Sequence, residues 1–459
     1  MTTSPASRPR PPSVERVLAR LRADGHGVRS HDSLVGAVQE VVVDERARLS
    51  GGAAPRSIDE LAGAATKRLE GLEAWLPPLA INATGVIVHT NLGRAPWPWL
   101  ALEAAVTAMG SLLLELDPET GRRGARYRLA EDHLVALTGA EDALITNNNA
   151  AAVALAVGLA GRGGGVVVSR GELVEIGGGV RIPEIIRRAG AKLIDVGTTN
   201  RTRAADYEEA LVGGRAKLVL RVHPSNFVQS GFTEAPDAGA VAQLAHRHGA
   251  IVVDDLGSGA LLPTERYGLA HEPTPSERLE LGSDVVTFSG DKLVGGPQAG
   301  LIVGRADLIT RMRRDPLARA MRPDKVTLAA VAATLSLYRS GLAEAEIPVW
   351  RAIATPLDAL QARAAILLSR IGDAAETVAL ESTIGGGSLP GETLPSFGLA
   401  LRARSANGLL ADLRAGTPSV VARIAGGRVV LDLRTVEPDA DDGVGDAIVR
   451  ALEGQPSNG

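Results

Sequence analysis

Between residues 99 and 325, stretches with helical periodicity alternate with short runs of apolar, β-branched residues. Five of these runs are Gly165–Ser169, Lys192–Val196, Lys217–Val222, Ile251–Asp254 and Asp284–Phe288. Such alternation predicts a mainly parallel sheet wrapped by helices, and continuously apolar strands are typical of burial on both faces. Ligands of these sheets bind at the carboxyl ends of the strands. The pattern therefore predicts an α/β fold with its site along one edge of the sheet.

Regions of different character flank this α/β part. Three helical stretches precede Pro77-Pro78, the first of them capped by Ser13, and a long helix over Thr327–Leu342 leads into a last region of mixed helices and strands. A chain of 459 residues is too long for one hydrophobic core. The expected domains are a small helical domain at 1–76, a large α/β domain at 77–330 and an α+β domain at 331–459.

Composition excludes several classes of protein. The chain has no cysteine, so it forms neither disulfides nor thiolate metal sites. Its net charge of −4 does not indicate a DNA-binding protein. The N-terminus lacks the apolar core of a signal peptide, and no later run is apolar enough to cross a bilayer. We therefore expect a cytoplasmic protein without a membrane partner.

Arginine is enriched near the N-terminus. The first thirty residues hold Arg8, Arg10, Arg16, Arg20, Arg22 and Arg29 against Glu15 and Asp24. This bias suits a phosphate backbone, although by itself it favours the simpler interpretation of a solvated helix face.

Lys292 is the outstanding candidate for chemistry. The chain has only five lysines, and this one stands in a Gly-rich, largely uncharged segment directly after an apolar run. Apolar surroundings lower the pKa of an amine and make it nucleophilic toward an aldehyde. The segment therefore predicts a Schiff-base lysine for pyridoxal phosphate (PLP).

Two adjacent carboxylates end an earlier apolar run, at Asp254 and Asp255. One of them is placed to hold the proton of a pyridinium nitrogen. One helix and one strand separate this pair from Lys292, so the chain returns to the same edge of the sheet at the lysine. Neighbouring strand residues face opposite ways, so the sequence leaves open which aspartate faces the site. A metal is the rival interpretation, but the sequence shows no second acidic or histidine cluster with ligand spacing.

Anion-binding groups surround these positions. Asn147-Asn-Asn149 precedes an apolar helix, where a cap and free N–H groups attract a phosphate, although an ordinary cap is equally consistent. Ser289 is placed to reach the same phosphate, and the segments 223–227 and 169–172 are expected to line the cleft. Arginines in Gly/Pro-rich segments are either anion forks or surface ion pairs, and they are Arg94, Arg122, Arg123, Arg126, Arg319 and Arg322.

Whole phrases of the sequence resemble the bacterial L-seryl-tRNA(Sec) selenium transferases, or selenocysteine synthases. The central phrase is Ser289-Gly-Asp-Lys-Leu-Val-Gly-Gly-Pro-Gln-Ala-Gly300. Further phrases lie at 81–94, 119–127, 169–178, 197–202, 223–227, 255–259 and 385–395. The resemblance covers nearly the full chain and is looser over the first seventy residues.

This resemblance implies a fold-type-I PLP enzyme that replaces the serine hydroxyl of L-seryl-tRNA(Sec) with selenium from selenophosphate, through a PLP-bound aminoacrylate. It implies that Lys292 binds the cofactor and abstracts the α-proton, and that Asp255 contacts the pyridine nitrogen. It also implies that selenophosphate is bound by three arginines, Arg94, Arg319 and Arg322, the last two of which come from a neighbouring subunit. Arg126 and Asp291 are secondary candidates. The positions expected to bind the cofactor are Lys292, Asn148, Asn149, Ala150, Asp255, Ser289 and His223. The family also implies that the helical domain grips tRNA and that dimers assemble into a ring.

Two other functions remain open at this stage. PLP-dependent lyases of small amino acids or sugar acids share much of the central phrase set, but the complete N-terminal helical domain counts against them. A catalytically idle tRNA-binding scaffold is the second alternative, and Lys292 together with the arginines counts against it.

Overall fold

The computed structural model describes residues 10–23, 31–73, 79–117, 119–123, 128–176 and 179–454. The chain divides into two compact units, residues 1–79 and 80–459. Among the described helices, none has both the length and the apolar character required to cross a membrane.

The first unit is helical, as predicted. Its helices are α1 (Val14–Ala23), α2 (His31–Ser50) and α3 (Ile58–Glu73). Leu18, Val38 and Leu61, one from each helix, are buried in a common core. Ser57 caps α3 with a reciprocal pair of hydrogen bonds to Glu60, which fixes where this helix begins.

The second unit contains the remaining elements. Its helices are α4 (Trp99–Ala108), α5 (Leu129–Thr138), α6 (Asn149–Gly158), α7 (Ile182–Arg188), α8 (Ala204–Leu211), α9 (Ala238–Arg247), α10 (Pro275–Glu280), α11 (Ala306–Arg314), α12 (Pro316–Ala320), α13 (Lys325–Arg339), α14 (Ala343–Glu346), α15 (Pro348–Ala354), α16 (Leu357–Ile371), α17 (Ala406–Ala415) and α18 (Asp441–Glu453). Its strands are β1 (Ala80–Asn82), β2 (Val86–Val88), β3 (Asp142–Thr146), β4 (Gly165–Ser169), β5 (Glu175–Ile176), β6 (Val180–Arg181), β7 (Lys192–Val196), β8 (Ala216–Val222), β9 (Ile251–Gly257), β10 (Val285–Ser289), β11 (Gly300–Gly304), β12 (Ala375–Gly385), β13 (Thr393–Leu401), β14 (Ser419–Val421), β15 (Arg423–Ala425) and β16 (Arg428–Asp432).

The central sheet has seven strands in the order β3-β11-β10-β9-β8-β4-β7. Strand β11 is antiparallel to both of its neighbours, whereas the other pairs are parallel. Val285 packs in one hydrophobic cluster, and Val286 and Phe288 pack in another, so β10 is covered on both faces. The predicted α/β fold with a mainly parallel central sheet is confirmed.

A second sheet, of five strands, is built mostly from the C-terminal region. Its order is β15-β16-β13-β12-β2, and helices α16, α17 and α18 supply Leu360, Leu409 and Val444 to its core. Strand β2 joins it by parallel pairing with β12, and β1 pairs in parallel with β14. The segment directly after the helical unit is therefore built into the C-terminal sheet. The division into three domains with boundaries at 76 and 330 stays a prediction.

Candidate active site

The carboxyl ends of β8, β9 and β10 meet around a cavity of about 370 Å³, here called the lysine cavity. Lys292 enters it from a tight turn after β10, in which the Lys292 carbonyl accepts a hydrogen bond from the Gly295 N–H at 3.0 Å. The lining residues are Thr90, Arg94, Asn148, Asn149, Ala150, Val174, Val180, Val222, His223, Pro224, Ser225, Asn226, Phe227, Asp255, Gly257, Ser289, Asp291, Lys292, Gln298 and Gly386. The sheet topology thus brings most of the predicted site residues together.

Burial is the main influence on the pKa of Lys292. Desolvation lowers its pKa, the Asp255 carboxylate opposes that shift, and the Arg94 charge adds to it. A larger fraction of neutral amine follows, which is the form that condenses with an aldehyde or accepts a proton.

Asp255 lies on the same cavity and is 5% exposed. Its Oδ1 accepts hydrogen bonds from Asn149 Nδ2 at 2.8 Å and from Thr287 Oγ1 at 3.1 Å. Burial raises the pKa of Asp255, whereas these two bonds and the charge of Lys292 oppose the rise. A cationic N–H from a ligand would stabilise the carboxylate here, and a pyridinium ring nitrogen is such a group.

Asp254 takes a different position. It is buried, accepts a hydrogen bond from Ser283 Oγ, and lines a second cavity rather than the lysine cavity. The alternation of side chains along β9 therefore separates the two aspartates, and this arrangement favours Asp255 as the partner of a ring nitrogen. The described residues hold no group of three or more His, Asp or Glu side chains that is suited to a metal ion.

The N-terminus of α6 forms an anion cradle at the cavity wall. Asn148 is the cap, and its Oδ1 accepts the Ala151 N–H at 2.9 Å. Asn149, Ala150 and Ser289 also line this wall. The helix dipole and its first N–H groups favour a phosphate at this place.

Arg94 reaches the cavity from the segment after β2. Its backbone is left-handed, with φ of 69°, and its Nη1 donates to Asp291 Oδ2 at 2.7 Å. Asp291 is only 8% exposed, so this ion pair fixes the arginine beside Lys292. His223, which lines the same cavity, has its Nε2 3.4 Å from the buried Glu272 carboxylate.

Other predicted arginines lie elsewhere. Arg319 and Arg322 are exposed and are not among the described residues that line the lysine cavity, although their turn is tied to the cap region by the Asn147 N–H, which donates to the Met321 carbonyl at 2.8 Å. Arg123 is exposed and pairs with Glu115 at 2.7 Å. Arg126 lies outside the described residues. The assignment of Arg319 and Arg322 to a neighbouring subunit's site stays a prediction.

Sequence reasoning missed the contribution of the C-terminal region. Gly387 has φ of 83°, and a Cβ at this position would lie 2.7 Å from Lys292 Cε and closer still to Nζ. The loop after β12 therefore packs directly on the lysine side chain, and any larger residue at 387 would force that side chain to shift. The run Gly385-Gly-Gly387 was a usable signal, because consecutive glycines indicate a close backbone approach.

The donor set fits PLP. The cavity offers a lysine with a lowered pKa, a helix N-terminus for a phosphate, and a buried carboxylate that has no cationic hydrogen-bond partner within the described part of the chain. Asn149 Oδ1 is also buried without a hydrogen-bond partner among the described residues, so a ligand donor is required there.

A family model described as L-seryl-tRNA selenium transferase matches residues 80–437. The chain belongs to this family. An L-seryl-tRNA(Sec) selenium transferase from Moorella thermoacetica is 43% identical over 460 residues, covering 98% of this chain and 97% of the relative. One from Methylocella silvestris is 46% identical over 418 residues, covering 88% of this chain and 89% of the relative.

A solved structure of a D-glucosaminate-6-phosphate ammonia-lyase is similar to this member of the selenium transferase family. Its TM-score is 0.60 at 21% identity, and the match covers 84% of this chain and 97% of that one. This likeness concerns the fold alone. The predicted fold class, a fold-type-I α/β enzyme, is confirmed.

Proposed function

We propose that this chain is a PLP-dependent selenotransferase that converts L-seryl-tRNA(Sec) to L-selenocysteinyl-tRNA(Sec) in the cytoplasm. The observation that carries the proposal is the meeting of Lys292 and Asp255 in one cavity, in a chain that two selenium transferases match over most of its length. PLP supplies an aldehyde for covalent capture of the serine amine and an electron sink for loss of its hydroxyl.

Side chains of the protein are proposed to bind the cofactor and to transfer the proton. Lys292, whose pKa is lowered by burial, binds the cofactor and moves the serine α-proton at its Nζ. Asp255, fixed by Asn149 and Thr287, keeps the ring nitrogen protonated. The α6 N-terminus with Asn148 and Ser289 holds the phosphate.

Selenophosphate is the proposed selenium donor. Arg94 lies on the cavity wall with its guanidinium oriented by Asp291, so it provides a fixed cation for an incoming anion. Arg319 and Arg322 are exposed on one turn and would complete the anion site of a neighbouring subunit.

The seryl-tRNA substrate is proposed to be held partly by the N-terminal helical unit. Arg16 and Arg22 are exposed on α1, and Arg20 pairs with Asp59 of α3 at 2.6 Å. Arg8 and Arg29 lie outside the described residues. Arginines on a small helical unit suit contacts with an RNA backbone.

A homo-oligomer, arranged as a ring of dimers, is the proposed assembly. One face of α4 and its extension exposes Trp99, Leu102, Val106 and Met109, of which Met109 is 71% exposed. These positions follow helical spacing and form a continuous apolar face, which suits a self-complementary contact between two copies. The ring itself rests on the family resemblance.

The decisive experiment is the visible absorption spectrum of the PLP-loaded protein before and after addition of seryl-tRNA(Sec). Seryl-tRNA(Ser) and free serine are the controls. A change with seryl-tRNA(Sec) alone would support both the cofactor chemistry and the choice of tRNA. A response to a free amino acid or sugar acid, with none to any tRNA, would instead indicate a small-molecule lyase.

A further inference from the structure

A second cavity, of about 550 Å³, adjoins the lysine cavity at the same edge of the sheet and is here called the side cavity. The two cavities share Val222, His223, Pro224 and Phe227, so this short segment forms the wall between them. The side cavity is also lined by residues of 169–172 and 199–202, two segments that the PLP chemistry leaves without a role. Its size is within the range of small-molecule binding pockets.

The lining of the side cavity suits a neutral polar occupant. Among the described lining residues are five carboxylates and three arginines, the arginines being Arg201, Arg221 and Arg278. Burial also raises the pKa of Glu172 to about 7, so this carboxyl is partly uncharged near neutral pH. Carboxylates therefore outnumber arginines even when Glu172 is uncharged, so a free anion such as phosphate is disfavoured here.

Two of the arginines that line the side cavity have nitrogen atoms without a hydrogen-bond acceptor among the described residues. Arg221 Nε and Nη1 and Arg278 Nε are buried, and none of them has a hydrogen-bond partner among the described residues. Buried donors of this kind are normally satisfied, so the cavity favours a ligand rich in acceptors. The ring nitrogens of a nucleobase and the oxygens of a ribose are such acceptors.

The position of the substrate's terminal nucleoside follows from its covalent linkage, and this step rests on the proposed function. Serine is esterified directly to the terminal ribose of tRNA, and its α-carbon must lie at Lys292 Nζ. The terminal adenosine must therefore occupy space that adjoins the lysine cavity. The side cavity adjoins it across the Val222–Phe227 wall.

Phe227 provides a surface for the base. It lines both cavities and is 40% exposed, so its ring is accessible to a ligand in either cavity. Unstacked bases at RNA ends are commonly bound by stacking on aromatic rings or guanidinium planes. We propose that the side cavity binds the 3′-terminal adenosine of the aminoacyl-tRNA, with its base against Phe227 and its acceptors facing Arg221 and Arg278.

The test measures equilibrium binding of two probes to the full-length, PLP-loaded protein by calorimetry. One probe is a CCA trinucleotide that carries serine through an amide in place of the ester. The other is the same molecule without the terminal base. We expect the intact probe to bind about tenfold more tightly or better, since one stacked base contributes on this scale.

Substitution of Phe227 then tests whether the terminal base contacts this side chain. Phe227→Ala should reduce the affinity ratio of the two probes to near one. Phe232→Ala is the matched control, because Phe232 is exposed and is not among the described lining residues of either cavity, and it should leave the ratio unchanged.

Equal affinity of the unaltered protein for the two probes, or binding of neither, would overturn the side-cavity assignment without any need for a variant. An unchanged ratio in Phe227→Ala would overturn the role of this residue and of the shared wall. The proposed function is judged separately by the spectrum with seryl-tRNA(Sec), so the two failures are distinguishable.

Discussion

Lys292 and Asp255 carry opposite formal charges in one cavity, yet burial shifts the pKa of each toward its neutral form. Desolvation penalises a charge unless a partner of opposite sign is close and hydrogen-bonded. The structure records no ion pair between these two side chains. The lowered pKa of Lys292 favours a nucleophilic amine, and the raised pKa of Asp255 means that its carboxylate gains stability from a cationic ring N–H.

Replacing Lys292 with alanine should abolish the borohydride-reducible cofactor adduct and lower turnover by several orders of magnitude, because the amine both binds the cofactor and moves the proton. Mass spectrometry after reduction measures the adduct. Lys217→Ala is the control, since Lys217 is exposed at the start of β8 and should retain adduct and activity. An adduct that persists in Lys292→Ala would contradict the assignment.

Glu172 gives a prediction about pH. Burial raises its pKa from 4.5 to about 7 in the folded protein, while the charge of Arg221 and the Val222 N–H oppose the rise. The folded state thus binds more protons between these values. The contribution of Glu172 to the free energy of unfolding is present below pH 4.5 and is lost as the pH rises through about 7.

Glu172→Gln should remove this dependence. The difference in unfolding free energy between the unaltered protein and the variant should fall across that pH range, with a slope of at most about 1.4 kcal/mol per pH unit. Denaturant titrations at a series of pH values measure it. A difference that does not vary with pH would show that Glu172 is ionised in the folded protein.

At the scale of elements, the cap of helix α6 is expected to have two functions, which are to stabilise the helix and to hold its N-terminus in place for the cofactor phosphate. Asn148→Ala removes the cap, so we expect a loss of about 1 kcal/mol of stability together with weaker cofactor binding. Asp237→Ala is the matched control, because Asp237 caps α9 with the same geometry, at 2.9 Å to the Ala240 N–H, and is not among the lining residues of the lysine cavity.

Only Asn148→Ala should weaken PLP affinity, measured by titration of the apo protein with the cofactor and followed by absorbance. Equal PLP affinity in the two variants would mean that the α6 terminus does not hold the phosphate.

The loop after β12 yields a second prediction at this scale. Gly387→Ala should impair cofactor binding and activity, because the new Cβ would collide with the Lys292 side chain. Gly391→Ala is the control, since its φ of 84° nearly equals the 83° of Gly387, but its Cβ would meet only Val228 Cγ2 at 3.5 Å.

Both glycine variants should lose about 1–2 kcal/mol through the left-handed backbone, as denaturant titration would show. Only Gly387→Ala should lose the cofactor adduct. Equal adduct formation in the two variants would exclude close packing of this loop on the lysine.

At the scale of the whole molecule, the apolar face of α4 predicts assembly. Val106→Glu should lower the mass of the oligomer measured by light scattering, because a charge would be buried at the contact. Val212→Glu is the control, since Val212 is 62% exposed against 66% for Val106 but does not lie on this face. An unchanged mass for Val106→Glu would place the contact elsewhere.

Much of the fold was predictable from local patterns. Strands β4 and β7 begin and end where their apolar runs do, and α13 lies within three residues of the helix predicted over Thr327–Leu342 at each end. Strands β3, β11 and β12 were missed. Strand β11 has glycine at both ends, and β12 carries Glu376 and Glu381 among its apolar residues, so neither shows a clean period of two.

The sequence by itself determined the alternation of strands and helices, the unusual environment of Lys292 and the pair Asp254-Asp255, because burial pattern, charge and glycine content are local properties. Only the tertiary structure decided that Asp255 shares a cavity with Lys292, that β2 pairs with β12, and that Gly387 packs on the lysine. These outcomes depend on strand register and on contacts between residues that lie in different elements, far apart in the sequence. Such contacts depend on how elements pack together, which the local sequence pattern does not specify.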